Sequence, residues 1–359
     1  MLAKWKTAGT LLALVLMALP QAWAQSSAYK DEAAIAKEQD NVTQAERQKE
    51  QPLNNAPVWR EVRSGNPGDA TSTVKGREPN VLINSNGQAW RQFRNGPVTL
   101  IGGILLVLTA GAILLFYKAT GAMQLHDKPT GRLIQRFSDW QRLIHWSTAI
   151  AFVTLGISGL IMFFGKHVLL PVLGYTLFSW LAKLAITLHN FVGPLFFVCV
   201  ALLFFTFVKK NWWCAYDFLW LKKGGGMVTG EHIPSAFFNA GEKMWFWGGV
   251  AFLGIIVSLS GFVLNFPNFD QTRNIMQIAN VIHGIGALMF VIGSFGHIYM
   301  GTLGMAGAYD AMRTGYVDET WAKEHHEYWY NDVKSGKAPG RVHAGHRRPG
   351  QRLRVIGPR

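Results

Sequence analysis

Cysteine is almost absent from this chain of 359 residues, which contains only Cys199 and Cys214. No CxxCH motif occurs, so covalently attached c-type haem is excluded, and two thiols are too few to hold an iron–sulfur cluster alone. Charged residues are also scarce, at 16% of the chain, whereas 49% of the residues are hydrophobic. The apolar residues gather into runs of about 20, the length that crosses a bilayer as a helix. The composition therefore predicts an integral membrane protein.

The net charge of +14 does not indicate a nucleic-acid-binding protein, because no binding motif accompanies it. The last 23 residues, 337–359, carry one Lys and six Arg and no acidic residue. These seven charges are half of the net positive charge of the chain. Most of the other Lys and Arg residues flank the apolar runs, as in cytoplasmic loops that face anionic lipid. The charge thus indicates membrane lipid as a partner and no nucleic acid.

The first 24 residues have the pattern of a secretory signal. Lys4 and Lys6 precede an apolar stretch at 8–19, and Ala22 to Ala24 form a small-x-small cleavage site. A retained anchor is the alternative. Residues 25–96 are polar with little periodicity, which predicts a periplasmic extension that cannot bury a core of its own.

Five apolar runs follow and predict five spanning helices, at 98–117, 144–164, 181–208, 244–264 and 278–305. The predicted fold class is an all-α integral membrane bundle. Its parts are a leading transmembrane helix at 97–118, a four-helix di-haem cytochrome b core at 135–332 and a basic tail at 333–359.

Loop charges predict the orientation of this bundle. The connections after the first, third and fifth runs are rich in Lys and Arg, whereas the loops at 165–180 and 265–277 hold far fewer. The positive-inside rule then places the C-terminus in the cytoplasm and the N-terminal segment in the periplasm of a bacterial inner membrane. The secretory signal predicts the same orientation independently.

Four of the eleven histidines lie in or at the ends of the spanning runs: His145, His189, His283 and His297. A polar side chain at membrane depth is costly unless it is paired, although a hydrogen-bonded packing role would explain any single one. His283 and His297 are 14 residues apart on one helix. That is close to four turns, so both rings point in nearly the same direction, about 21 Å apart along the axis.

The other two histidines match these two by depth. His189 begins the third run, near the periplasmic face, at the level of His283. His145 begins the second run, near the cytoplasmic face, at the level of His297. The pattern predicts two bis-histidine pairs that hold two haems b, and such iron has no open position, so it carries electrons rather than oxygen.

The remaining histidines and the glycines carry less information. The seven other histidines lie in loops or in the polar tail, where a solvated surface position is expected. Glycine is frequent in the last run, which favours either close approach of a porphyrin or ordinary packing of small residues between helices. The six glycines are Gly284, Gly286, Gly293, Gly296, Gly301 and Gly304.

An ordered series of motifs resembles the cytochrome b (gamma) subunit of respiratory formate dehydrogenase over residues 135–332. The motifs are RLIHW at 142–146, LHNFVG at 188–193, NAGEKM at 239–244, His283 with HIYM at 297–300, and WAKEHH at 321–326. The resemblance implies a membrane anchor in a three-subunit complex. A catalytic (alpha) subunit with molybdenum or tungsten oxidises formate in the periplasm, and an iron–sulfur (beta) subunit relays the electrons to this subunit.

The same resemblance implies roles for particular residues. His189 and His283 match the periplasmic haem ligands, and His145 and His297 match the cytoplasmic ones. Electrons would pass through both haems to quinone, either menaquinone or ubiquinone, near the cytoplasmic face.

The resemblance also implies a quinone pocket formed by Asn239, Gly241 and Glu242. Close relatives in that family have Gln where this chain has Glu242, and the difference is equally consistent with a pocket that differs from theirs. A carboxylate there can hydrogen-bond a quinol or relay a proton. The alternative is a carboxylate that is favoured simply by the dipole of a helix start.

Two other functions compete with this interpretation. One is the cytochrome b subunit of a hydrogenase or a thiosulfate reductase, which also uses a histidine-bearing bundle. The other is a transporter or channel lined by histidines. Against the latter, the spanning runs hold scarcely any other ionisable residue, Lys183 lies near a helix end, and no internal repeat is evident.

The predicted orientation can be tested by protease protection in intact spheroplasts. Because residues 25–96 are expected outside and Arg359 inside, protease should remove an N-terminal tag placed after Ala24 and spare a C-terminal tag. Removal of the C-terminal tag alone would reject this orientation.

Overall fold

The computed structural model of the protein describes residues 63–64, 84, 86–226, 229–340 and 342–343. The predicted signal peptide, most of the predicted extension and residues 344–359 of the basic tail lie outside the described residues. Those three assignments stay predictions.

The described residues form mainly helices. Their bounds are α1 Gly87–Thr120, α2 Asp139–Val168, α3 Leu170–Lys210, α4 Ala215–Lys222, α5 Ala240–Asn265, α6 Arg273–Gly304, α7 Ala308–Thr314, α8 Glu319–His325 and α9 Glu327–Lys334. Three of the long helices contain π-helical turns, at Arg94–Val98, Trp245–Leu253 and Met300–Gly304. Helices α1, α2, α3, α5 and α6 are long and apolar enough to cross a membrane, which confirms the predicted fold class.

The chain divides into two compact units. The first unit comprises Met1–Phe93 and Asn268–Gln277. Its described residues include the first turns of α1 and of α6. The other comprises Arg94–Pro267 and Ile278–Arg359. All four predicted histidine ligands belong to this second unit.

Two predicted boundaries are wrong. The loop expected at 165–180 is helical, because α2 ends at Val168 and α3 begins at Leu170 with a proline in its first turn, where proline is tolerated. The chain bends instead at Gly174, whose φ of 72° is a conformation that glycine adopts without strain. His189 therefore lies well inside α3 and not at its start.

The second wrong boundary is that of the polar extension. Residues 87–96 were expected in this extension, but they are helical and form the first turns of α1.

Side-chain exposure shows which helices form the core of the bundle. Helix α2 and helix α3 pack along each other closely, and α5 packs against α3. Helix α1 buries only Gly102 along Thr99–Thr120, and large apolar side chains such as Val107 (73% exposed) point outward. Such a surface suits lipid rather than water. The leading helix is thus peripheral to the bundle.

A cap covers one end of the bundle; it consists of residues 121–138 and 305–340. Strands β1 (Leu133–Gln135), β2 (Tyr316–Asp318) and β3 (Val342–His343) form an antiparallel sheet in the order β2-β1-β3. Ile134 is fully buried opposite Val317. The sheet joins the connection after α1 to the segment after α6.

A buried ion pair ties α4 to the start of α5. Lys243 Nζ lies 2.7 Å from Asp217 Oδ2, and both side chains are almost inaccessible. The same carboxylate oxygen accepts a hydrogen bond from the backbone N–H of Cys214 (2.7 Å), where α4 begins. Removing one member of such a pair leaves an uncompensated buried charge.

We expect Lys243→Met to lower the free energy of unfolding by about 3–5 kcal/mol, because Asp217 would remain buried without its cation. The measurement is thermal unfolding of the purified protein in detergent. Lys223→Met is the matched control, because the Lys223–Glu231 ion pair is largely exposed and contributes about 0–1 kcal/mol. Equal effects of the two substitutions would contradict this prediction.

Candidate functional site

Two pairs of histidine rings face each other inside the bundle. The ring centroids of His189 on α3 and His283 on α6 are 6.0 Å apart, with the planes at 77°. Those of His145 on α2 and His297 on α6 are 6.2 Å apart, with the planes at 60°. We call these the 189–283 pair and the 145–297 pair. The structure thus brings the four residues together in the combinations predicted from depth.

The spacing of the rings suits an ion held between them. With metal–nitrogen bonds of about 2 Å and each ring centroid roughly 1 Å behind its nitrogen, two imidazoles on opposite sides of one ion have centroids about 6 Å apart. Within the described ranges, no group of three or more His, Cys, Asp or Glu side chains could hold a metal ion. Two imidazoles complete the coordination of a porphyrin iron but not of a bare ion. The donor set therefore fits haem b.

Glycines lie beside both pairs. A Cβ atom at Gly159 would lie 3.4 Å from Cε1 of His189, and one at Gly261 would lie 3.2 Å from Cε1 of His283. A Cβ at Gly193, one turn after His189, would meet no heavy atom within 4 Å, and the same holds for Gly296. The rings of the 189–283 pair thus rest against backbone without side chains, which leaves room for a large flat group.

A layer of three phenylalanines separates the two pairs. Each of them lies seven residues from a paired histidine on its own helix, which is two turns. Phe290 lies midway between the two histidines of α6, and its ring centroid is 4.8 Å from that of Phe152 and 6.2 Å from that of Phe196. The layer is an apolar, water-excluding spacer between the two sites.

The start of α5 lies beside the 145–297 pair. Trp245 stacks on His297, with the ring centroids 5.1 Å apart and the planes at 12°. Gly293 of α6 makes room for this indole, because a Cβ there would lie 3.0 Å from it. Trp245 follows Glu242 by one turn of α5. The residues predicted for the quinone pocket therefore lie at the end of the bundle that contains the 145–297 pair.

Asn239, Gly241 and Glu242 form the helix start itself. The side chain of Asn239 accepts a hydrogen bond from the N–H of Glu242 (2.9 Å), and Oε2 of Glu242 accepts one from the N–H of Asn239 (2.8 Å). This reciprocal arrangement is a capping box. Gly241 packs against Trp220. Glu242 therefore is a helix-start carboxylate, and its Oε1 remains for other contacts.

A buried guanidinium provides one of those contacts. Nη2 of Arg136 donates to the carbonyl oxygen of Phe237 (2.7 Å) and lies 3.4 Å from Oε1 of Glu242. Five aromatic rings of the cap and the adjacent loop surround the group at 5.0–6.0 Å. Burial lowers the pKa of Arg136 to about 10, and Glu242 opposes that shift. The guanidinium is thus charged at neutral pH.

His326 provides the second contact, and the expectation of a solvated surface position is wrong for it. Its side chain is 1% exposed, Nδ1 donates to the carbonyl oxygen of Ala236 (2.7 Å), and Nε2 lies 4.0 Å from Oε2 of Glu242. Burial lowers the pKa of His326 well below its ordinary value, so the ring is neutral. The neighbouring His325 also has its pKa lowered by burial, to about 4.

Two of the other histidines contact glutamate carboxylates at the surface. His126 Nδ1 is 3.4 Å from Glu324, and His232 Nε2 is 3.2 Å from Glu327. His167, at the end of α2, is exposed as expected. The side chains of His343 and His346 lie outside the described residues.

Sequence reasoning missed four polar residues of these sites. Ser158 and Ser260 contact Nδ1 of His189 and His283 respectively, at 2.9 and 3.1 Å. A signal for them exists, since each stands in a Ser-Gly pair within a spanning run. Arg136 and His326 carry no such signal, because their contacts join segments far apart in the chain.

Comparisons with known proteins identify the family of this chain. Residues 136–315 match the family model of prokaryotic cytochrome b561. The cytochrome b556 (Fdo) subunit of formate dehydrogenase from Escherichia coli K12 is 30% identical over 210 residues, 56% of this chain and 93% of the relative. The cytochrome b556 (Fdn) subunit of the nitrate-inducible enzyme from the same strain is 28% identical over 218 residues, 58% and 94% respectively.

A third relative is the cytochrome b556 subunit of formate dehydrogenase from Haemophilus influenzae Rd. It is 28% identical over 208 residues, 53% of this chain and 79% of the relative. The family-model match covers half of the chain and includes all four paired histidines. This multi-pass membrane protein therefore belongs to the prokaryotic cytochrome b561 family and is similar to the cytochrome b subunits of formate dehydrogenases.

Proposed function

We propose that this chain is the membrane-anchoring di-haem cytochrome b subunit of a formate dehydrogenase complex. In this role it transfers electrons from a periplasmic iron–sulfur (beta) subunit, through two haems b, to menaquinone or ubiquinone near the cytoplasmic face. Formate itself is oxidised by the molybdenum or tungsten (alpha) subunit. The observation that carries the proposal is the presence of two opposed histidine pairs, with ring centroids 6.0 and 6.2 Å apart, that share α6.

The two pairs divide the ligand roles in this proposal. His189 and His283 hold the periplasmic haem, and His145 and His297 hold the cytoplasmic one. A b-type haem held by each pair of histidines would supply one-electron transfer. The phenylalanine layer around Phe290 keeps water out between the sites.

We place the quinone pocket at the start of α5, beside the 145–297 pair. Arg136 places a fixed positive charge 3.4 Å from Oε1 of Glu242. That carboxylate is partly exposed (39%), so it is able to accept a hydrogen bond from a quinol hydroxyl or to pass a proton. The lone pair on Nε2 of the neutral His326 ring lies 4.0 Å from Oε2 of the same carboxylate. His326 therefore provides a second proton acceptor next to Glu242.

We expect a pyridine haemochrome assay of the purified protein to give two haems b per chain. His145→Ala should remove one haem and block quinone reduction, yet leave the periplasmic haem reducible by formate in the assembled complex. His189→Ala should interrupt the path earlier, so that the cytoplasmic haem stays oxidised when formate is added.

His167→Ala is the matched control, because that histidine is exposed and unpaired in the proposal; it should retain both haems. All variants must be shown to copurify with the partner subunits. A wild-type chain with one haem or none would overturn the di-haem assignment. Full reduction of the cytoplasmic haem by formate in an assembled His189→Ala variant would reject the serial path.

We expect Glu242→Gln to retain both haems and to slow quinone reduction at least about tenfold, because proton transfer by a positioned side chain typically contributes more than that. Gln also serves as the N3 residue of a capping box, so the substitution keeps the helix start and removes only the charge. The measurement is the rate of quinone reduction by formate in the purified complex.

Glu231→Gln is the control, since that exposed carboxylate pairs with Lys223 and is not part of the proposed quinone pocket. The haem content and visible spectrum of each variant report whether the bundle is intact. An intact Glu242→Gln protein that reduces quinone at the wild-type rate would show that the carboxylate has no part in the reaction.

A further inference from the structure

Two serines occupy equivalent positions on either side of the 189–283 pair. Ser158 on α2 has its Oγ 2.9 Å from Nδ1 of His189, and Ser260 on α5 has its Oγ 3.1 Å from Nδ1 of His283. Both serines are buried, and each precedes a glycine. The two helices therefore contribute the same Ser-Gly element to one site, from opposite sides.

The hydrogen bonds of each hydroxyl show which atom donates to the histidine contact. Ser158 Oγ donates to the carbonyl oxygen of Thr154 (2.7 Å), and Ser260 Oγ donates to that of Ile256 (2.5 Å). A hydroxyl has one proton, so with that proton in the bond to the carbonyl its oxygen accepts from the ring nitrogen. The proton of each imidazole is therefore on Nδ1, and the lone pair of Nε2 is free for a metal.

The glycine that follows each serine lets the ring approach the helix. A Cβ at Gly261 would lie 3.2 Å from Cε1 of His283, tighter than an ordinary van der Waals contact, and one at Gly159 would lie 3.4 Å from Cε1 of His189. Each Ser-Gly element thus combines an acceptor for the ring N–H with a flat surface against which the ring rests.

The 145–297 pair is held differently. Nδ1 of His145 is buried and has no hydrogen-bond partner among the described residues. His297 is held by its stacking contact with Trp245. The two pairs therefore have the same ligand type but differ in the acceptors around the ligands.

We propose that Ser158 and Ser260 are positioning residues that set the reduction potential of the group held by the 189–283 pair. The proposal rests on the proposed function, in which that group is a haem b. A hydrogen bond accepted from Nδ1–H makes the imidazole a stronger electron donor to iron. Stronger donation stabilises the oxidised form, so the two serines lower the potential of this site relative to that of the 145–297 pair. Electron transfer from the first site to the second is thereby favoured.

The test is a spectroscopic redox titration of the purified complex carrying Ser158→Ala, Ser260→Ala or both. Each single substitution should retain two haems and raise the midpoint potential of one of them, seen as a several-fold higher ratio of reduced to oxidised haem at a fixed ambient potential. The double substitution should raise it further. The affected haem should be the one that is lost in His189→Ala, and the potential of the other should not change.

Two further variants separate this role from packing. Ser258→Ala is the matched control, because Ser258 is buried on α5 and its hydroxyl has no hydrogen-bond partner in the described part of the chain; it should leave both potentials unchanged. Ser158→Thr retains the hydroxyl and its bond to the preceding turn, so it should restore the wild-type potential. If Ser158→Ala loses the haem altogether, the threonine variant decides. Retention of the haem in Ser158→Thr then supports the role of the hydroxyl, and loss of the haem in both variants overturns that role.

The failures of the two proposals are distinguishable. A wild-type protein without haem would overturn the proposed function and this inference with it. A wild type with two haems, whose alanine variants keep both potentials unchanged, would overturn the role of the serines alone.

Discussion

An imidazole at membrane depth must find a polar partner, because the bilayer core offers no water to satisfy it. The rest of the bundle depends on this constraint. Helix α6 carries two histidines, and the facing histidines come from two different helices, His145 from α2 and His189 from α3. Helix α5 contributes Ser260 to one pair and Trp245 to the other. Each core helix therefore contacts α6 at one or both pairs, whereas α1 contributes no paired histidine and faces outward.

The two ends of the bundle differ in chemistry. Around the 189–283 pair, the polar contacts come from neutral serine hydroxyls. Beside the 145–297 pair, the helix start and the cap bring Arg136, Glu242 and His326 together, and buried Lys243 holds the same helix start in place. Such a difference suits the proposed direction of transfer, with electron transfer alone at one end and proton-coupled chemistry at the other.

Two predictions from the sequence failed, each for its own physical reason. The segment 165–180 was expected to be a loop between two apolar runs, yet its residues continue as helix on both sides of Gly174. His326 was expected in solvent because the tail is polar in composition. It is buried because Trp321, Trp329 and their neighbours pack onto the bundle end, which only the folded cap brings together. Local composition does not report such long-range contacts.

The sequence by itself determined the five spanning helices and the histidine pairs. The length of an apolar run is set by bilayer thickness, and a spacing of 14 residues on one helix fixes both the direction and the axial separation of two side chains. Tertiary structure alone decided which groups surround those rings. Ser158 and Ser260 reach Nδ1 atoms on other helices, and Arg136 meets Glu242 across more than a hundred positions of chain. The physical reason is that helical periodicity is a local property, whereas a hydrogen bond between helices depends on their rotation and crossing in the packed bundle.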